Sequence, residues 1–336
     1  MAVCVPKRFV IYGAGAIGGV IGALLRRAGH DVALIARGAH GEAIRERGLR
    51  LETPDETVTF DFEVASHPGE LRYRDGDVVV LGMKTQDTAA ALGALAAAAP
   101  PGIVVACAQN GIENERLALR HFAQVYGICV VLPASHLEPG VVRVHSAPVR
   151  GALGIGRYPR GEEGIAGDIA AAFCAAGFES SPHPDVMRVK YAKLLSNLGN
   201  AVEVVCGRSE QAHEVFELAQ AEGRACLRAA GIDADEARLA AYHEVITVRP
   251  VASGRWPGSS SLQSLERRTG TIEADYLNGE IVLVGRGHGV PVPVNALLQR
   301  LANQFAREQR PPGSMQAAEF LAAAGAAPRA PGAQHT

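Results

Sequence analysis

The sequence predicts an α/β domain built on a doubly wound parallel sheet, followed by an all-α domain. Three observations predict it. A short apolar strand at 8–12 runs directly into Gly13-Ala14-Gly15-Ala16-Ile17-Gly18, a G-x-G-x-x-G turn that opens a helix. Strand and helix patterns then alternate as far as residue 182. Beyond that point the apolar periodicity is helical almost throughout.

Taken in order, 31–36 reads as the second strand, and 49–52 with 58–60 as a hairpin. The run 77–82 is continuously apolar after Asp77, as expected of a parallel strand covered by helices on both faces. The alanine-rich helix 88–99 is stopped by Pro100-Pro101, and 103–107 is the next strand. Strand-like pieces follow at 125–131, 140–144 and 152–155, then a helix over 162–176. In the second part the pattern predicts helices at 185–205, 210–230, 234–245, 271–288 and 294–307, with a Ser/Gly/Pro-rich loop at 247–262. The resulting organisation is a doubly wound α/β domain over 1–182, an all-helical domain over 183–310, and an Ala/Pro tail over 311–336 that is expected to be disordered.

The chain has 336 residues, 48% apolar and 20% charged, with a net charge of −2. That balance gives no electrostatic case for nucleic acid or an anionic membrane. No apolar run has the length of a bilayer span, and the apolar stretch after Lys7 and Arg8 is read as the first strand, not a signal peptide. The six cysteines are scattered without C-x-x-C spacing, which argues against a metal site and for free thiols in the cytoplasm; Cys107 and Cys129 fall in strand patterns as small core residues. No nucleic-acid or membrane partner is therefore expected, and a homodimer is left open.

The glycines have separate physical tasks. Gly13 permits the turn out of the strand, Gly15 lets backbone approach a pyrophosphate, and Gly18 lets the helix pack on the strand. The helix start, with Ala14, Ala16 and Ile17, offers N–H groups and a positive dipole end to phosphates. After the second strand, where a site for NAD carries an acid, stands Arg37, whose guanidinium suits a 2′-phosphate; the expected cofactor is NADP(H).

Lys84 follows the 77–82 strand and Asn110 follows the next, so both belong at the carboxyl ends of the sheet, where ligands bind. Lys193, Asn197 and Asn200 stand at i, i+4 and i+7 of a helix, one polar stripe among apolar neighbours that is better suited to lining a cavity than to facing solvent. His136, His145 and His183 have no partner motif and are read as surface or structural residues.

These features, followed in order by the S-x-x-Q of Ser260-Ser261-Leu262-Gln263 and the E-x-D-x-x-N-G of 273–279, resemble the ketopantoate reductase family from Phe9 to Phe305. The resemblance implies a Rossmann domain and a helical domain with the active site in the cleft between them, and NADPH-dependent reduction of a 2-oxo acid to a 2-hydroxy acid. It implies that Lys193 is the general acid and that Glu273 positions that lysine or the substrate. It places Asn110 near nicotinamide and substrate, Lys84 in the cofactor crevice, and Asn197 on the substrate. Asn200, Ser260 and Ser261 are assigned to the substrate with it.

The chain departs from the family pattern at four places. Ala201 stands where a second asparagine is usual, with Asn200 one position earlier; Ser264 replaces an aspartate; Asp87 stands where many relatives have Gln; and the 263–273 segment is one residue longer than usual. Ketopantoate is therefore the default substrate. The first alternative is a family-like reductase acting on another carbonyl or imine. The second, of another class, is a non-catalytic NADP(H)-binding sensor, against which the retention of Lys193 and Glu273 speaks.

Overall fold

The computed structural model describes residues 8–162 and 164–325. The chain forms β1 (Arg8–Tyr12), α1 (Ala16–Arg27), β2 (Val32–Ile35), α2 (Gly38–Arg47), the hairpin β3 (Leu49–Glu52) and β4 (Thr57–Phe60), and β5 (Glu63–Ala65). Next come β6 (Asp77–Leu81), α3 (Thr85–Ala98), β7 (Val104–Cys107), α4 (Glu113–Leu119), β8 (Gln124–Val131), β9 (Ala134–Ser135), β10 (Val141–Val144), β11 (Ala152–Arg157) and α5 (Ala166–Ala175). The remaining helices are α6 (Val186–Asn197), α7 (Gly199–Cys206), α8 (Glu210–Ala229), α9 (Glu236–Glu244), α10 (Ser260–Glu266), α11 (Asn278–His288), α12 (Pro293–Glu308) and α13 (Ala317–Ala323).

The main sheet has the order β11-β8-β7-β6-β1-β2-β5, parallel except for the antiparallel pair β8 and β11. From β5 through β8 this is the 3-2-1-4-5-6 order of a dinucleotide-binding sheet, whose switch point lies between β1 and β6. Period-two alternation builds two cores. Phe9, Ile11, Val78 and Val80 face α1 and α5 residues such as Leu24 and Phe173; Val10, Tyr12, Val79 and Leu81 face Leu92 and Leu95 of α3 and Ala118 of α4. The expected hairpin is present, and its β3 joins β10 and β9 in a second, four-stranded sheet. Cys107 and Cys129 are buried core residues, as their strand patterns suggested.

Two compact units are found, and they differ from the division expected at 182/183. The first runs through Lys193 and takes back Ala234–Pro257; the second comprises Leu194–Asp233 and the chain from Gly258 onward. The physical reason is on α9. Its Leu239 and Tyr242 are buried with Cys129, Val131, Ala152, Val186 and Val189. Gly154 of β11 makes the room, since a Cβ there would lie 1.9 Å from the Tyr242 hydroxyl.

In the second unit the expected long helix 185–205 is stepped at Leu198, between α6 and α7. The expected helix 271–288 starts as a 3-10 turn, Ala274–Tyr276, before α11. The segment expected as loop through 262 instead starts α10, with Ser259 as its N-cap accepting from the Leu262 N–H at 3.4 Å. The tail expected to be disordered contains α13 within the described residues, with Phe320 and Leu321 buried; 326–336 lie outside them. Phe320→Ala is expected to cost about 3–5 kcal/mol in a urea melt, whereas a solvated tail helix would show no change. No described helix is long and apolar enough to cross a membrane.

Candidate active site

Strand register brings the first-unit site residues to one level. Tyr12 pairs with Ile35 on one side and Leu81 on the other, and Leu81 pairs with Cys107. Gly15, Lys84 and Asn110 each stand three residues past those aligned positions, and Arg37 two past its own. The glycine turn, Arg37, Lys84 and Asn110 therefore leave the carboxyl edge of four neighbouring strands together, around the switch point.

The glycine turn has the shape its sequence implies. Gly13 has φ +95°, and a Cβ on it would lie 2.6 Å from the Met83 nitrogen. At Gly18 a Cβ would lie 2.2 Å from the Gly13 carbonyl, so α1 packs hard on the turn. Gly15 is different: nothing lies within 4 Å of its Cβ position. It is the N-cap of α1, with no side-chain cap and no acid in the first turn. The N–H groups of Ala16, Ile17 and Gly18 have no intrahelical partner at such a start. Open space, free donors and a positive dipole end fit a pyrophosphate. Arg37 is the exposed N-cap of α2 and makes no ion pair among the described residues.

One half-buried histidine contact escaped the sequence reading. The Gly140 N–H donates to His40 Nδ1 at 2.9 Å, so the proton sits on Nε2, which donates to the Ala14 carbonyl at 2.7 Å. His40 thus ties the glycine turn to the loop before β10. The three histidines set aside earlier are structural in kind: His145 is buried on Ser135 Oγ, with burial pushing it down to about 4, and His136 and His183 bond nearby backbone.

The loops of Lys84 and Asn110 are held by a buried polar network. Gln109 Nε2 donates to the Met83 carbonyl at 3.0 Å and to Thr88 Oγ1 at 2.7 Å. Thr88 donates to Asn114 Oδ1 at 2.8 Å, and Asn114 Nδ2 donates to the Asn110 carbonyl at 3.1 Å. Lys84 is the half-exposed N-cap of α3.

Lys193 is half-buried on α6 and makes no salt bridge among the described residues. Burial pushes its ammonium below the ordinary lysine range, with the Cys129 thiol opposing weakly. Burial in turn pushes Cys129 up to about 11, which leaves a neutral thiol beside the lysine.

In the second unit Asn197 ends α6, buried, and its Nδ2 has no hydrogen-bond partner among the described residues. A buried amide donor left open is costly unless an acceptor fills it. Asn200 is half-buried on α7, past the step at Leu198. Asn278 Nδ2 donates to the Leu198 carbonyl at 3.4 Å and to Asn295 Oδ1 at 3.0 Å, so the asparagine of E-x-D-x-x-N-G supports the step. Asp275 of the same motif accepts from Gln299 and Asn303, each at 2.7 Å, and fixes α12. Glu273 is buried at the start of the 3-10 turn. Ser260 and Ser261 lie in the first turn of α10, Ser261 buried, and Ser264 Oγ donates to the Ser260 carbonyl at 2.7 Å.

Comparison with known proteins decides the family. Ketopantoate reductase PanE/ApbA matches residues 9–160, and its C-terminal counterpart matches 185–306. The chain belongs to the ketopantoate reductase family. Two curated relatives, each named 2-dehydropantoate 2-reductase, are 30% identical. That of Halobacterium salinarum aligns over 90% of this chain and 99% of its own, and that of Pyrococcus horikoshii over 88% and 96%. A PanE/ApbA family ketopantoate reductase from Ralstonia eutropha has 31% identity and a TM-score of 0.76, covering 90% of this chain and 100% of its own. A D-mandelate dehydrogenase solved with NADH and anilino(oxo)acetate has a TM-score of 0.77 at 20% identity, a likeness of fold. The family is one of oxidoreductases, and its fold is the α/β sheet and helical region described above.

Proposed function

We propose that this chain is an NADPH-dependent reductase of 2-oxo acids, with 2-dehydropantoate as its default substrate. The observation that carries the reading is Lys193, a half-buried ammonium with no carboxylate partner among the described residues, on a helix that ends in an asparagine whose buried amide donor is open among them. On this reading the first unit binds the cofactor and the second contributes substrate contacts. Gly13, Gly15 and Gly18 shape the phosphate turn, Arg37 takes the 2′-phosphate, and Lys84 and Asn110 line the edge beyond it.

A reduced nicotinamide, when bound, supplies the hydride that reduces a carbonyl carbon. The residues of this chain do the rest. Lys193 Nζ stabilises the charge that develops on the carbonyl oxygen and gives it a proton, leaving a 2-hydroxy acid. Asn197 Nδ2 donates to the substrate, a neutral partner for a carboxylate or carbonyl oxygen. Glu273 orients the lysine or the substrate, and Asn200, Ser260 and Ser261 complete the polar contacts. Free thiols and the absence of a long apolar helix among the described residues support a place in the cytoplasm.

A second reading keeps the chemistry and changes the substrate. Ala201 is buried where relatives carry an asparagine, and the buried Ser264 hydroxyl is turned onto the Ser260 carbonyl, away from substrate work. Turnover of NADPH against a panel of branched and aromatic 2-oxo acids and cyclic imines decides between the two. Failure with every compound while NADPH still binds would favour a sensor.

Cofactor choice gives a separate expected result. Arg37→Ala raises the KM for NADPH about tenfold to a hundredfold, the worth of one charge-assisted phosphate contact, and leaves that for NADH nearly unchanged. Steady-state kinetics with both cofactors check it; equal use of the two by the unmodified protein removes the phosphate role of Arg37.

A further inference from the structure

Lys190 and Glu115 are an ion pair inside the first unit, with 2% and 0% of their side chains exposed. Neither belongs to the motifs that define the family resemblance. Lys190 stands on α6 one turn before Lys193, and besides Glu115 it donates to the backbone carbonyl of Gln109 at 3.0 Å. Glu115 lies in the first turn of α4, directly after Asn114, which holds the Asn110 carbonyl. Gly127 of β8 leaves the carboxylate its space, since a Cβ there would lie 3.2 Å from Glu115 Oε1. Burial pushes the Glu115 carboxyl up, and its Oε2 has no hydrogen-bond partner among the described residues.

Such a pair is expensive to bury, and apolar residues of similar volume would fill the same space at least as stably. What apolar residues could not do is grip a carbonyl. The Gln109 carbonyl sits immediately before Asn110, and the Gln109 amide already ties that loop to Met83, just before Lys84. We infer that Lys190 and Glu115 are positioning residues, a buried clamp that fixes helix α6 to the Gln109-Asn110-Gly111 loop and so sets Lys193 against Asn110. The inference rests on the reading of Lys193 as the proton donor.

The test uses the full chain and three variants: Lys190→Met, Glu115→Gln, and the double apolar change Lys190→Met with Glu115→Leu, which keeps the fold testable if a single change leaves an unpaired buried charge. Amide hydrogen exchange over 107–116, read without substrate or cofactor, speeds up about tenfold or more in the Lys190→Met and double variants, as loss of a charge-assisted bond requires. Single-turnover reduction of a 2-oxo acid falls by up to about 10²-fold, while the Kd for NADPH moves by no more than about twofold. Glu115→Gln, which keeps an acceptor for Lys190, retains more turnover than Lys190→Met. A double variant with parental melting, parental exchange and parental hydride transfer overturns the clamp. So does a Lys190→Met whose loss of turnover matches its unfolded fraction. If the unmodified protein reduces no 2-oxo acid, the proposed function fails, and the exchange measurement still decides the clamp by itself.

Discussion

Lys193→Ala lowers turnover by about 10²–10⁴ and leaves NADPH affinity almost unchanged, the share expected of a positioned general acid. Lys193→Gln does not restore it, because an amide donates a hydrogen bond but does not give up a proton at neutral pH. The lysine works only while protonated, so kcat is lost as pH rises through its pKa. Burial holds that pKa below the ordinary lysine range, and the alkaline limb of the kcat profile falls correspondingly early. In Lys193→Ala that limb disappears. A lysine on a solvated helix face would instead change every quantity by a few tenths of a kcal/mol. Single-turnover loss of NADPH absorbance across pH separates the two, and hydride transfer at the parental rate in Lys193→Ala removes the assignment.

Gly15→Val abolishes detectable NADPH binding while the protein stays folded and melts within a few degrees of the parent, the cost of a poorer helix N-cap. The contrast with its neighbours makes this sharp. A side chain at Gly13 or Gly18 would run into backbone at 2.6 or 2.2 Å and damage the fold itself. At Gly15 the protein offers no obstacle within 4 Å, so the new side chain occupies only the space assigned to the pyrophosphate. A fluorescence titration of NADPH paired with a thermal melt measures both halves. Unchanged affinity would mean that the phosphates lie elsewhere.

The parallel sheet was legible because its strands carry their signal locally. A short, continuous β-branched run such as 78–81 reads as a covered strand, and Lys84 and Asn110, each three residues past the aligned strand ends Leu81 and Cys107, are placed by register. What could not be read this way were residues whose meaning depends on burial. Lys190, in the chain Arg188, Lys190, Lys193, looks like one more helix charge. It in fact occupies the apolar i, i+4 stripe of Val186 and Leu194, a periodic signal that a check of the stripe for misplaced charges would have raised. Glu115 reads as an acid in a helix's first turn, where acids are ordinary. His40 gave no sign, since the backbone groups it bonds are 26 and 100 positions away. The helix α10 was hidden by a serine run that suggests loop, although Ser259 is also a good helix start. The return of α9 to the first unit depends on Tyr242 meeting a glycine in a distant strand, and that is invisible to any local pattern.

That last contact bears on how the chain can be divided. The first unit is discontinuous in sequence: it is interrupted after Lys193 and resumes at Ala234. A fragment cut where the strand pattern ends, at 182, would contain every residue of the glycine turn and of both sheets, yet it would lack α6 and α9. The surface of Cys129, Val131 and Ala152 that Val186, Val189, Leu239 and Tyr242 cover would be stripped, and Gly154 would face water as an empty socket. The first unit is thus not a module that could be exchanged or expressed by its own stretch of sequence. During synthesis its last piece arrives only after forty further residues, 194–233, have been made.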